Sequence, residues 1–88
     1  MKNIKPFIAV HPCETIKAEI EARRMSHEQF FRSLTMYSRE RLIALLNGER
    51  PITPSLARAL ERVLGMPSEF WMRLQKDYDE QIKNKDDE

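Results

Sequence analysis

Asn47-Gly48-Glu49-Arg50-Pro51-Ile52-Thr53-Pro54-Ser55-Leu56-Ala57-Arg58-Ala59-Leu60 closes one helix with Asn-Gly and opens another at Thr-Pro a few residues later. A glycine just past a helix end supplies the left-handed C-terminal cap, and a proline in the first turn wastes no backbone donor. A second break follows at once in Gly65-Met66-Pro67-Ser68-Glu69-Phe70-Trp71. Helices this short and this tightly punctuated predict a compact all-α domain.

Working outward, the other helix signals agree. Glu14 sits just after Pro12, where a carboxylate meets the positive end of the helix dipole. The first helix is therefore expected over 12–24, with Ile16 and Ile20 on its buried side. Ser26 with Gln29 three residues on forms a capping box, predicting a second helix over 27–34 that buries Phe30 or Phe31 with Leu34. Thr35-Met36-Tyr37 reads as a turn. Ser38 caps a third helix carrying Arg39-Glu40-Arg41 and burying Leu42, Leu45 and Leu46, which Asn47-Gly48 stops. Thr53 caps the fourth, whose Leu56, Leu60, Val63 and Leu64 face the core. The fifth starts near Pro67 and carries a stripe of Phe70, Trp71, Leu74 and Tyr78. Residues 79–88 are expected as the end of this helix and a charged, frayed tail. At the other end, Pro6 pushes Lys5 out of helical geometry, so residues 1–10 read as an extended arm whose Phe7, Ile8 and Val10 pack on the domain or a partner. Residues 11–78 make up the domain.

Composition narrows the function. The chain has 88 residues, two glycines and one cysteine, Cys13. The lone cysteine excludes an internal disulfide and suits a reducing cytoplasm. No apolar run approaches a membrane span and no signal-peptide pattern opens the chain, so a cytoplasmic location is expected. A core this thin gains from pairing with a second copy, which predicts a homodimer. The net charge is +1, but through Arg50 nine Lys/Arg face six Asp/Glu, and from Pro51 onward six face eight. Phosphate contacts therefore belong to the first half, and the acidic second half suits a protein partner or solvent.

The stretch from Ser26 to Asn47 fits a helix-turn-helix, in which the second helix enters the major groove of DNA. With the leucines turned inward, Glu40, Ala44 and Asn47 centre the outward face, flanked by Arg41 and Ile43. Arg39 and Arg41 are candidates for guanine or phosphate. Ser26, His27 and Gln29 stand at a helix N-terminus, where free backbone donors can seat a phosphate. Arg50, just past the third helix, is within reach of the DNA backbone. The bland alternative is a helical bundle with solvated arginines. Glu40 and Ile43 favour that alternative, since a carboxylate is repelled by phosphates and isoleucine suits a thymine methyl or a protein. Other chemistries lack their parts. His11, Cys13 and His27 have no zinc-site spacing and supply too few ligands. Cys13 has no base–orienter pair and no phosphate-binding glycine loop exists, so neither an enzyme nor a cofactor is expected.

His11-Pro12-Cys13-Glu14 resembles the His-Pro-Gly-Glu opening of HigA-type antitoxins, which are Cro/lambda-repressor-like helix-turn-helix proteins encoded beside a HigB-type, RelE-like ribonuclease toxin. Asn47-Gly48-Glu49-Arg50-Pro51-Ile52-Thr53 resembles that family's Asn-Gly-Lys-x-x-Ile-Thr loop. Ser68-Glu69-Phe70-Trp71-Met72-Arg73-Leu74-Gln75 resembles its Ser-x-Glu-Phe-Trp-x-x-Leu-Gln signature. The similarity spans His11 to Tyr78. Cys13 replaces a glycine, and the turn before the third helix is one residue longer. Matching backward from Asn47 places Ser38, Arg39, Glu40 and Ala44 at the DNA-facing positions. The resemblance implies a five-helix lambda-repressor-like domain, which follows the extended N-terminal arm read from Pro6. It also implies repression of the chain's own toxin–antitoxin operon through operator DNA, and neutralisation of the toxin. Phe70, Trp71, Leu74 and Tyr78 are the expected dimer contact or its supporting core. Two alternatives remain: a stand-alone repressor without a toxin, and a protein-interaction module that has lost DNA binding.

Overall fold

The computed structural model describes residues 10–86, with side chains to residue 83, so what is expected of Phe7, Ile8 and the rest of the arm before Val10, and of the last two residues, lies outside it. Five helices follow one another: α1 (Cys13–Ala22), α2 (His27–Ser33), α3 (Arg39–Leu46), α4 (Pro54–Leu64) and α5 (Ser68–Asp86). Among the described residues there is no strand.

The starts of the first four helices are each fixed by a local hydrogen bond. His11 Nδ1 accepts from the Cys13 N–H at 2.9 Å and so tethers the opening of α1. The capping box forms in full, with Ser26 Oγ accepting from Gln29 N at 3.1 Å and Gln29 Oε1 accepting from Ser26 N at 2.8 Å. Ser38 Oγ accepts from Arg41 N at 3.1 Å and Thr53 Oγ1 from Leu56 N at 3.2 Å. Ser-type caps of this kind contribute about 1 kcal/mol each. Gly48 and Gly65, at φ 78° and 90°, make the left-handed exits from α3 and α4.

Two boundaries differ from expectation. The first helix stops at Ala22, two residues early, because Arg24 adopts φ 55° and lets Met25 N reach back to Ile20 O at 3.0 Å. The fifth helix runs on to Asp86, so residues 83–86, expected in the frayed tail, are helical. No glycine or proline lies beyond Pro67 to break it.

The core holds Ile16, Ile20, Phe30, Leu34, the three leucines of α3, Ile52, and the α4 side chains Leu56, Leu60 and Leu64. Val63 is only partly buried, while Ala57 and Ala59 are fully enclosed. The most extensive helix pairing is α4 on α5, followed by α1 on α3. Trp71 anchors α5 with no exposed surface. Its indole N–H has no acceptor among the described residues, at a cost of about 1–3 kcal/mol. Burying the ring system returns roughly 4–6 kcal/mol, so burial wins. Gln75 is the buried polar residue: Oε1 accepts from the Ile52 N–H at 2.8 Å and Nε2 donates to Asp79 at 2.9 Å. Arg23 donates to Glu19 and to the Leu64 carbonyl, linking the ends of α1 and α4.

Candidate nucleic-acid interface

Residues 34–37 turn the chain from α2 into α3, forming the helix-turn-helix, and its outer surface carries almost every residue singled out from sequence. Ser26, His27, Gln29, Ser38, Arg39, Glu40, Arg41, Asn47 and Arg50 are exposed, and Ala44 is half-buried. Spacing therefore placed the outward face of α3 correctly, with Ile43 40 % exposed beside it. Val10, expected to pack on the domain or on a partner, is exposed on its own chain.

The hydrogen bonds change what several of these residues can do. Ser26 and Gln29 are engaged with each other in the capping box, so the free donors at the start of α2 are fewer than the sequence implies. Ser38 likewise serves α3's own cap. Arg39 is paired within the helix-turn-helix. Its Nη2 donates to Glu28 on α2, and its guanidinium lies 5.1 Å from the centre of the Phe31 ring. That hydrogen bond holds the Glu28 carboxyl below the usual carboxylate range and raises Arg39 further. His27 tilts toward the same ring at 6.2 Å. Sequence reading missed Glu28 and Phe31 because the contacts join two helices.

Arg41 and Arg50 make no ion pair among the described residues. Together they line a groove of about 360 Å³ between α3 and the start of α4, with Tyr37, Thr53 and Ser55. Tyr37 Oη lies 3.0 Å from Ser55 Oγ, bridging the turn to α4. Leu42, Leu45, Pro51 and Leu56 make the groove's floor largely apolar, so its capacity for an anion lies with the two guanidinium groups and the hydroxyls.

The expected dimer contacts separate. Trp71 is enclosed by its own chain, with Phe70 edge-on at 5.0 Å, so it belongs to the supporting core and offers no contact surface. Leu74 packs partly against that core. Tyr78 is half-buried with its ring against His11 at 4.9 Å. Phe70 remains the large apolar side chain that α5 exposes, at 37 %.

His11 is held low in pKa chiefly by burial, against a hydrogen bond to the Arg50 backbone and the charges of Asp79 and Glu14. Burial pushes the Cys13 thiol up, which disfavours the reactive thiolate. Among the described residues no group of three or more His, Cys, Asp and Glu side chains could hold a metal ion, and no helix is long and apolar enough to cross a membrane.

No family model matches the chain, and no curated protein matches it. Among solved structures, an addiction module antidote protein of a HigA family from Coxiella burnetii is similar to it at 34 % identity. The match covers 89 % of this chain and 85 % of that one, with a TM-score of 0.81.

Proposed function

The chain belongs to the HigA family of addiction module antidote proteins, and from that premise we propose that it is a DNA-binding antitoxin that represses its own operon and neutralises a HigB/RelE-like ribonuclease. The observation that carries the DNA-binding half is the exposed face of the helix-turn-helix, with Arg39, Arg41 and Arg50 around the start and far side of α3. Arg39 stands at the first position of α3, where side chains meet base edges. Arg41 and Arg50 flank a groove beside α3, and in this reading their guanidinium groups meet backbone phosphate. A homodimer would set two such helices one DNA turn apart on a palindromic operator and exclude polymerase sterically.

The test is fluorescence anisotropy with duplex from immediately upstream of the gene against a scrambled duplex, at low and moderate salt. The expected result is salt-sensitive, sequence-selective binding, reduced about ten- to hundredfold on the selective site by Arg39→Ala. Equal affinity for both duplexes rejects the repressor reading. Toxin neutralisation is tested separately, by co-purification with a ribonuclease encoded beside the gene and by loss of its activity in the complex.

A second reading, an interaction module without DNA binding, draws support from Met36 and Ile43. They are 69 % and 40 % exposed on the turn and on α3. It predicts no duplex binding even at low salt.

A further inference from the structure

Glu28 and Arg39 are eleven residues apart and project from the starts of neighbouring helices, α2 and α3. Their side chains are 52 % and 59 % exposed. An ion pair this open adds little to stability, so its consequence lies in charge and orientation. The guanidinium is gripped on two sides: one nitrogen, Nη2, donates to Glu28, and one face lies over Phe31. A guanidinium has five N–H donors in a planar fork, so the nitrogens not bonded to Glu28 remain available to a further acceptor. A carboxylate at the entry of a DNA-facing helix otherwise only repels phosphate.

We propose that Glu28 is a positioning residue that sets sequence specificity: it withholds the Arg39 cation from indiscriminate phosphate neutralisation and aims its free donors at base edges. The inference rests on the DNA-binding reading above. Non-specific affinity comes from cations that displace counterions, whereas selectivity comes from donors aimed at the groove. Pairing Arg39 with Glu28 cancels its charge toward phosphate and limits the rotamers through which it could swing there. Phe31 supplies the surface against which the fork is held.

The experiment is a double-mutant cycle of Glu28→Gln and Arg39→Ala in the full chain. Binding to the upstream and scrambled duplexes is measured across a salt series. Glu28→Gln is expected to steepen the salt dependence on scrambled duplex by about 0.9 in log–log slope, the signature of one added phosphate contact. The ratio of selective to scrambled affinity is expected to fall about five- to tenfold. Both changes are expected to vanish when Arg39 is already alanine. An unchanged slope and ratio overturns the inference, and so does an equal gain in the Arg39→Ala background, which makes Glu28 a general repulsive charge. A wild-type chain with no sequence preference rejects the DNA-binding reading and this inference with it. A selective wild type with a flat cycle rejects the inference alone.

Discussion

Trp71 and Arg39 each rest against a phenylalanine, at 5.0 Å and 5.1 Å, yet the first is sealed from water and the second stands in it. The contrast extends to the regions around them. In the α4–α5 half one polar side chain turns inward: Gln75 is buried and holds the Ile52 amide. In the α2–α3 unit polar groups close helix starts or pair on the surface, as Ser26, Gln29, Ser38, Glu28 and Arg39 do. One half therefore stores stability in enclosed contacts. The other arranges charge on a frame that its caps have already fixed, so its outer residues can change without loss of the fold.

Trp71→Ala tests this division most severely. Truncating an enclosed tryptophan costs about 3–5 kcal/mol. A domain of 88 residues has a total of roughly 4–13 kcal/mol. Urea titration followed by circular dichroism should show a strongly lowered midpoint, while Arg39→Ala leaves the midpoint where it was. A normal midpoint for Trp71→Ala, with weakened self-association, would move the indole out of the core and into an interface.

Gln75→Leu is the next step down. The side chain keeps its size, but the Ile52 N–H loses its acceptor inside the protein, at about 1–3 kcal/mol. The Ile52 amide should also exchange with solvent faster than its neighbours in α4. Unchanged stability and exchange would mean that the α3–α4 loop is held by Pro51 and Thr53 without help from α5, and the inward-facing half would shrink to its apolar contacts.

What could be read in advance follows the range of the forces involved. Caps and stops act within three or four residues, so Ser26-Gln29, Ser38, Asn47-Gly48, Thr53-Pro54 and Gly65 were legible as written. So was the outward face of α3, because three leucines fix its rotation. Gln75 was not, since a glutamine on a charged helix reads as solvated until the Ile52 amide is brought to it. The Arg24 exit from α1 lacks the glycine that usually marks one. Glu28–Arg39 and Arg23–Leu64 join residues 11 and 41 apart in the chain, which no local pattern reports. Trp71 could be placed on the apolar stripe of α5. Whether that stripe met its own chain or a second copy required knowing that α4 already covers it.

His11 sits where the two halves meet, and it offers the smallest and most reversible test. Its ring lies edge-on to Tyr78 of α5, while Nδ1 takes the Cys13 N–H at the start of α1, and a side chain added at Gly48, the exit from α3, would meet the ring at 3.7 Å. Accepting at Nδ1 requires the neutral ring, since protonation would set two donors against each other. Burial, the largest influence, also favours the neutral form, and Lys17 adds to it. The folded pKa therefore lies below the ordinary 6.5, so the unfolded chain binds the proton more readily. The stabilising contribution is present above pH 6.5 and is lost as pH falls through the folded pKa. Urea midpoints should accordingly decline from pH 7.5 to pH 5.5, windows chosen around that value. The decline should be smaller in His11→Asn, which has no proton to take up there. An identical decline in both proteins would assign the pH response to carboxylates elsewhere and leave the junction of the halves insensitive to charge.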